Sequence, residues 1–113
     1  MITIYHNNRC RKSREGLEVL ENSGKEYRIR EYFKEPLDEQ EITLLLDKLS
    51  MTPIQLVRKN EKNWKENYRG KDLSDPELIG ILAENPELIE RPVVETEKTA
   101  VIGRPSSQIE KIL

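Results

Sequence analysis

ITIYHNNRCRKSREGLEVLENSG, residues 2–24, changes its pattern twice, and those two changes decide the fold. The first five residues, ITIYH (2–6), alternate β-branched and aromatic side chains, as a short buried strand does. NNRC then turns the chain, because asparagine tolerates turn conformations. From about Lys12 the apolar residues recur at helical spacing, with Leu17, Val19 and Leu20 on the inner face and NSG as the stop. Gly16 lies inside this helix at a cost of about 1 kcal/mol relative to alanine, which is consistent with close packing against a neighbour.

Working outward, EYRIREYF (26–33) reads as a second strand that Pro36 closes. PLDEQEITLLLDKLS (36–50) reads as an amphipathic helix with Ile42, Leu45, Leu46 and Leu49 as its buried stripe. Asp38 and Glu41 carry the capping-box spacing at its start. Thr52-Pro53 breaks it, and IQLVRKN opens a further short helix. Residues 59–72 are polar, with isolated Trp64 and Tyr68, and read as a loosely helical surface stretch. Ser74 caps DPELIGILAENP. RPVVET and TAVIG, separated by a charged turn, form a hairpin, and PSSQIEKIL closes the chain as a helix. The order β-α-β, helical insert, β-β-α describes an α/β thioredoxin-like fold with a small mixed four-stranded sheet. We expect one domain over residues 1–113, with a helical insertion at about 38–90.

Composition narrows the function. The chain has 113 residues, 35% of them hydrophobic and 35% charged, and a net charge of -2. That size supports one core without staples, and the balance argues against general nucleic-acid or membrane binding. No run approaches the ~20 apolar residues of a membrane span, and Met1 leads into a strand instead of a signal peptide. With a single cysteine, the chain can form neither an internal disulfide nor a thiolate zinc site, so no metal is expected. A cytoplasmic monomer is the expectation.

The one thiol, Cys10, falls between a strand and a helix N-terminus, among Arg9, Arg11, Lys12 and Arg14. Free N–H groups, the helix dipole and nearby cations lower a cysteine from about 8.5 toward roughly 3.5–7.5. Ser13 is positioned to donate to the sulfur, and Cys10-x-x-Ser13 is a thiol-redox spacing with serine in place of the second cysteine. The competing reading is a small buried hydrophobe. His6 either tunes the thiol or ends the strand in a satisfied hydrogen bond, and the bases, Arg14 among them, either tune the thiol or form a solvated helix face.

ITIYHNNRCRKSR, followed in order by LVRKN, ERPVV and IGRPSSQI, resembles the glutaredoxin-dependent arsenate reductases and their short bacterial relatives over nearly the whole chain. The resemblance implies that Cys10 is the nucleophile toward arsenate and that Arg58, Arg91 and Arg104 hold the oxyanion. It further matches His6 and Ser13 to family positions and makes Pro92 the candidate for a cis-proline facing the cysteine. Arginine suits the task, since its planar fork pairs with tetrahedral oxyanions and keeps its charge. Two positions depart: Asn8 stands where proline is usual, and Arg11 where a small residue often follows the cysteine. The chain also lacks the C-terminal extension of the longer enzymes. With one cysteine, an external thiol must resolve the intermediate, which implies glutathione with glutaredoxin, or another small thiol, as co-substrate. Two other classes share the fold: a regulator of the Spx type that binds RNA polymerase, and a monothiol glutaredoxin-like oxidoreductase. Ser13 in place of a second cysteine, and the presence of all three arginines, favour the reductase.

Overall fold

The computed structural model describes all 113 residues. They group into two compact units, one of Met1–Glu35 with Arg91–Leu113 and one of Pro36–Glu90. The second unit spans the segment expected as a helical insertion.

In the first unit, β1 (Ile2–Tyr5) runs parallel to β2 (Tyr27–Arg30) and antiparallel to β3 (Val93–Glu95), which pairs in turn with β4 (Ala100–Ile102). The sheet order is β2-β1-β3-β4. A parallel pair needs a crossover, and helix α1 (Arg11–Ser23) supplies it. Gly24 ends α1 in the left-handed conformation (φ 74°) that glycine adopts without steric cost. Ile4, Leu20, Val94 and Ile109 are fully buried at the centre of this unit, with Leu17, Val19 and Val101 packed around them. This is the thioredoxin-like arrangement that the element order predicts.

Gly16 is buried where α1 meets the C-terminal half of the sheet. A Cβ there would lie 2.8 Å from Pro92 Cγ and 3.1 Å from Ile109 Cδ1, so the bare glycine permits the approach. The expected strand over 26–33 is shorter. Pairing stops at Tyr5↔Arg30, where β1 itself ends, and Lys34 N–H and Glu35 N–H both then donate to the Glu31 carbonyl at 2.9 Å. Residues 31–35 are therefore a turn that buries Tyr32 and exposes Phe33. The closing helix, Ser106–Ile112, is a 3-10 helix. At three residues per turn, Ile109 and Ile112 stack on one face, and both pack into the core cluster.

In the second unit, α2 (Glu39–Leu49) begins later than Pro36 because the Asp38 cap sets the start: Glu41 N–H donates to Asp38 Oδ1 at 2.8 Å and Asp38 N–H to Glu41 Oε1 at 3.1 Å. Its buried residues are Ile42, Leu45, Leu46 and Leu49, as the spacing predicts. Helix α3 (Lys62–Asn67) buries Trp64, and α4 (Asp75–Glu84) packs on α2 under a second capping box, Ser74 with Glu77. The short helix expected at IQLVRKN is only the 3-10 turn Pro53–Leu56. Buried Val57 then forms an antiparallel bridge with buried Ile89, which draws the chain out of the helix. No helix is long and apolar enough to cross a membrane.

Candidate active site

β1 delivers the chain to a tight loop before α1. His6 N–H donates to Arg30 O at 2.9 Å, Arg9 N–H to Asn7 Oδ1 at 3.1 Å, and Cys10 N–H to Asn7 O at 2.9 Å. Cys10 is thereby the N-cap of α1, extended at φ -93° and ψ 121°, and its carbonyl accepts from Arg14 N–H at 3.1 Å. Arg14 also reaches back with Nη1 to Asn8 O at 3.0 Å and braces the loop from the far side. Cysteine takes the position usually held by serine, threonine, aspartate or asparagine, but its side chain closes no capping hydrogen bond.

Burial of the half-exposed thiol raises its pKa. The Arg91 side chain, the main chain at Ser13 and Lys12, and the charge of Arg91 outweigh that effect and bring Cys10 from 9.0 down to about 7. Near neutral pH a large share of the sulfur is therefore thiolate.

Arg91 owes its position to the start of β3. The Arg91–Pro92 peptide is cis, Pro92 is fully buried, and its carbonyl accepts from Gly103 N–H at 2.8 Å. The Arg91 guanidinium carbon lies 5.8 Å from the centre of the Phe33 ring, within cation–π range.

The remaining predicted residues fall at several distances from this chemistry. Ser13 is fully buried, and it acts on the sulfur through its main chain; its hydroxyl instead accepts from Asn7 N–H at 3.4 Å. His6 is also buried. Burial lowers its pKa, Glu31 and the Ser13 main chain oppose this, and Arg14 adds to the lowering, so the ring is neutral at pH 7. It is not among the groups that act on Cys10. Arg11 and Lys12 pair with Glu15 at 3.3 and 3.6 Å on the outer face of α1. Arg104 is exposed just beyond β4, with a second cis peptide to Pro105. Arg58 belongs to the second unit, where the Val57–Ile89 bridge sets it beside Glu90. Its guanidinium lies 3.7 Å from both Glu61 and Glu90, while its buried Nη1 finds no hydrogen-bond acceptor. Phe33, which carries Arg91, was not expected as a site residue. Only its exposure in a turn marks it, and a reading of 26–33 as strand conceals that.

A thioredoxin-like unit with one helix-capping cysteine and an arginine donating to its sulfur defines a thiol-chemistry protein of the single-cysteine kind. A family model described as the ArsC family matches residues 5–112, and the chain belongs to that family. It is 40% identical to "Uncharacterized protein YfgD" of Escherichia coli over 99% of this chain and 96% of that one. It is 38% identical to an arsenate reductase of Yersinia enterocolitica, covering 99% of this chain and 80% of the relative. Among solved structures, the arsenate reductase from Vibrio cholerae superposes with a TM-score of 0.94 at 38% identity, over 99% and 97% of the two chains.

Proposed function

We propose that this protein reduces arsenate to arsenite through Cys10. The carrying observation is the placement of the only cysteine at the N-cap of α1, where the Arg91 side chain and charge hold the thiol below its ordinary pKa. The thiolate attacks arsenic, an S–As bond forms, and one arsenate oxygen leaves as water. With a single cysteine in the chain, two external thiols then supply two electrons. They release arsenite, leave as a disulfide, and restore the Cys10 thiol.

Glutathione with glutaredoxin fills that role in this reading. Arg91 and Arg104 neutralise the oxyanion so that two anions can meet, and the family resemblance adds Arg58 to that role. Pro92, His6, Ser13 and Arg14 shape the loop and the thiol. The reading also takes the chain as one folding domain, acting as a monomer in the cytoplasm, where thiols are kept reduced.

The test is arsenate-dependent oxidation of glutathione in the presence of glutaredoxin, followed for the parent and Cys10→Ser. Turnover in the parent and none in the variant is the expected result. Equal rates would remove Cys10 from the reaction, and no turnover with any thiol would remove arsenate. Loss of arsenate protection of Cys10 against alkylation in Arg58→Ala and Arg104→Ala checks the oxyanion assignment.

A further inference from the structure

A cavity of about 240 Å³ opens beside the nucleophile loop, walled by His6, Asn7, Arg9, Glu31, Phe33 and Lys34 among others. Two of its wall segments are linked to the thiol. Asn7 to Arg9 is the loop whose Asn7 carbonyl holds Cys10 N–H, and the Phe33 ring carries the arginine that donates to the sulfur. His6, only 5% exposed, forms part of the cavity wall, and its Nδ1 is buried behind that wall with no hydrogen-bond partner.

The charges around the cavity are mixed. Lys34 Nζ and Glu31 Oε2 lie 3.6 Å apart at the surface, and Arg9 adds a second cation. A multiply charged oxyanion would meet the Glu31 carboxylate, and a simple amine would meet two cations. A group bearing an ammonium and a carboxylate on one carbon satisfies both signs at once.

We infer that this cavity binds the α-amino-acid end of a γ-glutamyl thiol, the ammonium on Glu31 and the carboxylate on Arg9 and Lys34, so that its sulfhydryl is presented to Cys10. The inference rests on the proposed thiol-dependent reduction and names how its co-substrate is recognised. The His6 ring and the Phe33 side chain wall the cavity beside the aliphatic part of the γ-glutamyl chain.

His6 is the only histidine in the chain, so its ring proton resonance reports occupancy without further assignment. The probe is S-methylglutathione, whose thioether cannot reduce anything, added to the full-length protein. A saturable shift of the His6 signal is expected at millimolar concentration. N-acetyl-S-methylcysteine, which lacks the amino-acid end, should bind about tenfold more weakly, and Arg9→Ala and Glu31→Gln should each weaken S-methylglutathione about tenfold. Both residues are at the surface, and an unchanged fold in each variant is checked by circular dichroism. No shift, equal shifts by the two probes, or an equal shift by arsenate alone would overturn the assignment. The two readings fail separately. S-methylglutathione binding without arsenate turnover refutes the reductase and keeps the cavity. Turnover whose preference for glutathione over 2-mercaptoethanol survives Arg9→Ala and Glu31→Gln refutes the cavity and keeps the reductase.

Discussion

Replacing Arg91 by alanine removes two of the contributions that lower the Cys10 pKa, its hydrogen bond and its charge, and leaves burial opposed only by the main-chain bonds at Ser13 and Lys12. The thiol should then titrate upward from about 7 by about one unit or more, toward its ordinary value. At pH 7 the thiolate share falls from about one half to about one tenth, a roughly fivefold loss. Each remaining thiolate is the stronger nucleophile: a Brønsted slope of ~0.4–0.5 returns a factor of about three. The net rate with an aromatic disulfide should therefore fall only about twofold at pH 7, while the alkaline plateau rises about threefold. The pH profile, and not a single rate, is the informative assay. Arg104→Ala serves as the comparison, because Arg104 is not among the groups acting on the sulfur. A midpoint in Arg91→Ala within about 0.3 unit of the parent, or a lowered plateau, would refute the reasoning.

Gly16→Ala should destabilise the protein by about 1–2 kcal/mol despite the helical preference of alanine, since the new methyl meets the rigid Pro92 ring at 2.8 Å. A urea midpoint equal to or above that of the parent would contradict this packing. Asp38→Ala should cost about 1 kcal/mol by opening the capping box of α2, read from the same denaturation series. Stability should also depend on pH through Cys10. Its folded pKa lies below its unfolded value, so ionisation stabilises the fold fully above the unfolded pKa, and the gain is lost as pH falls through about 7. The parent should therefore gain on Cys10→Ser between pH 7 and 9, and parallel stability curves for the two would exclude this coupling.

Local signals were readable where local chemistry decides the outcome. The Asp38 and Ser74 caps, the stripe of Ile42, Leu45, Leu46 and Leu49, and the hairpin of β3 and β4 follow from spacing alone. Cys10 at a helix start was likewise visible, because an alternating run ending at His6 must turn before a helical period begins. What the sequence concealed depends on partners far along the chain. β2 ends at Arg30 because β1 offers it nothing to pair with beyond Tyr5, and no property of EYRIREYF announces that. The turn that follows carries Glu31, Phe33 and Lys34 to the cavity wall. Val57 leaves its turn because Ile89, 32 residues on, pairs with it. The four bases around Cys10 attract attention by proximity in sequence, yet the side chain that donates to the sulfur is Arg91. Two of the four, Arg11 and Lys12, are paired with Glu15 instead.

That division has a consequence in time. A ribosome delivers Cys10 and its helix first and Arg91 only after the whole 36–90 segment has been made, because the first unit is assembled from both ends of the chain. Until β3 pairs with β1, the nascent thiol lacks the guanidinium that holds it ionised. The guanidinium that helps lower the thiol's pKa therefore joins Cys10 only once the C-terminal part of the first unit has been made and paired.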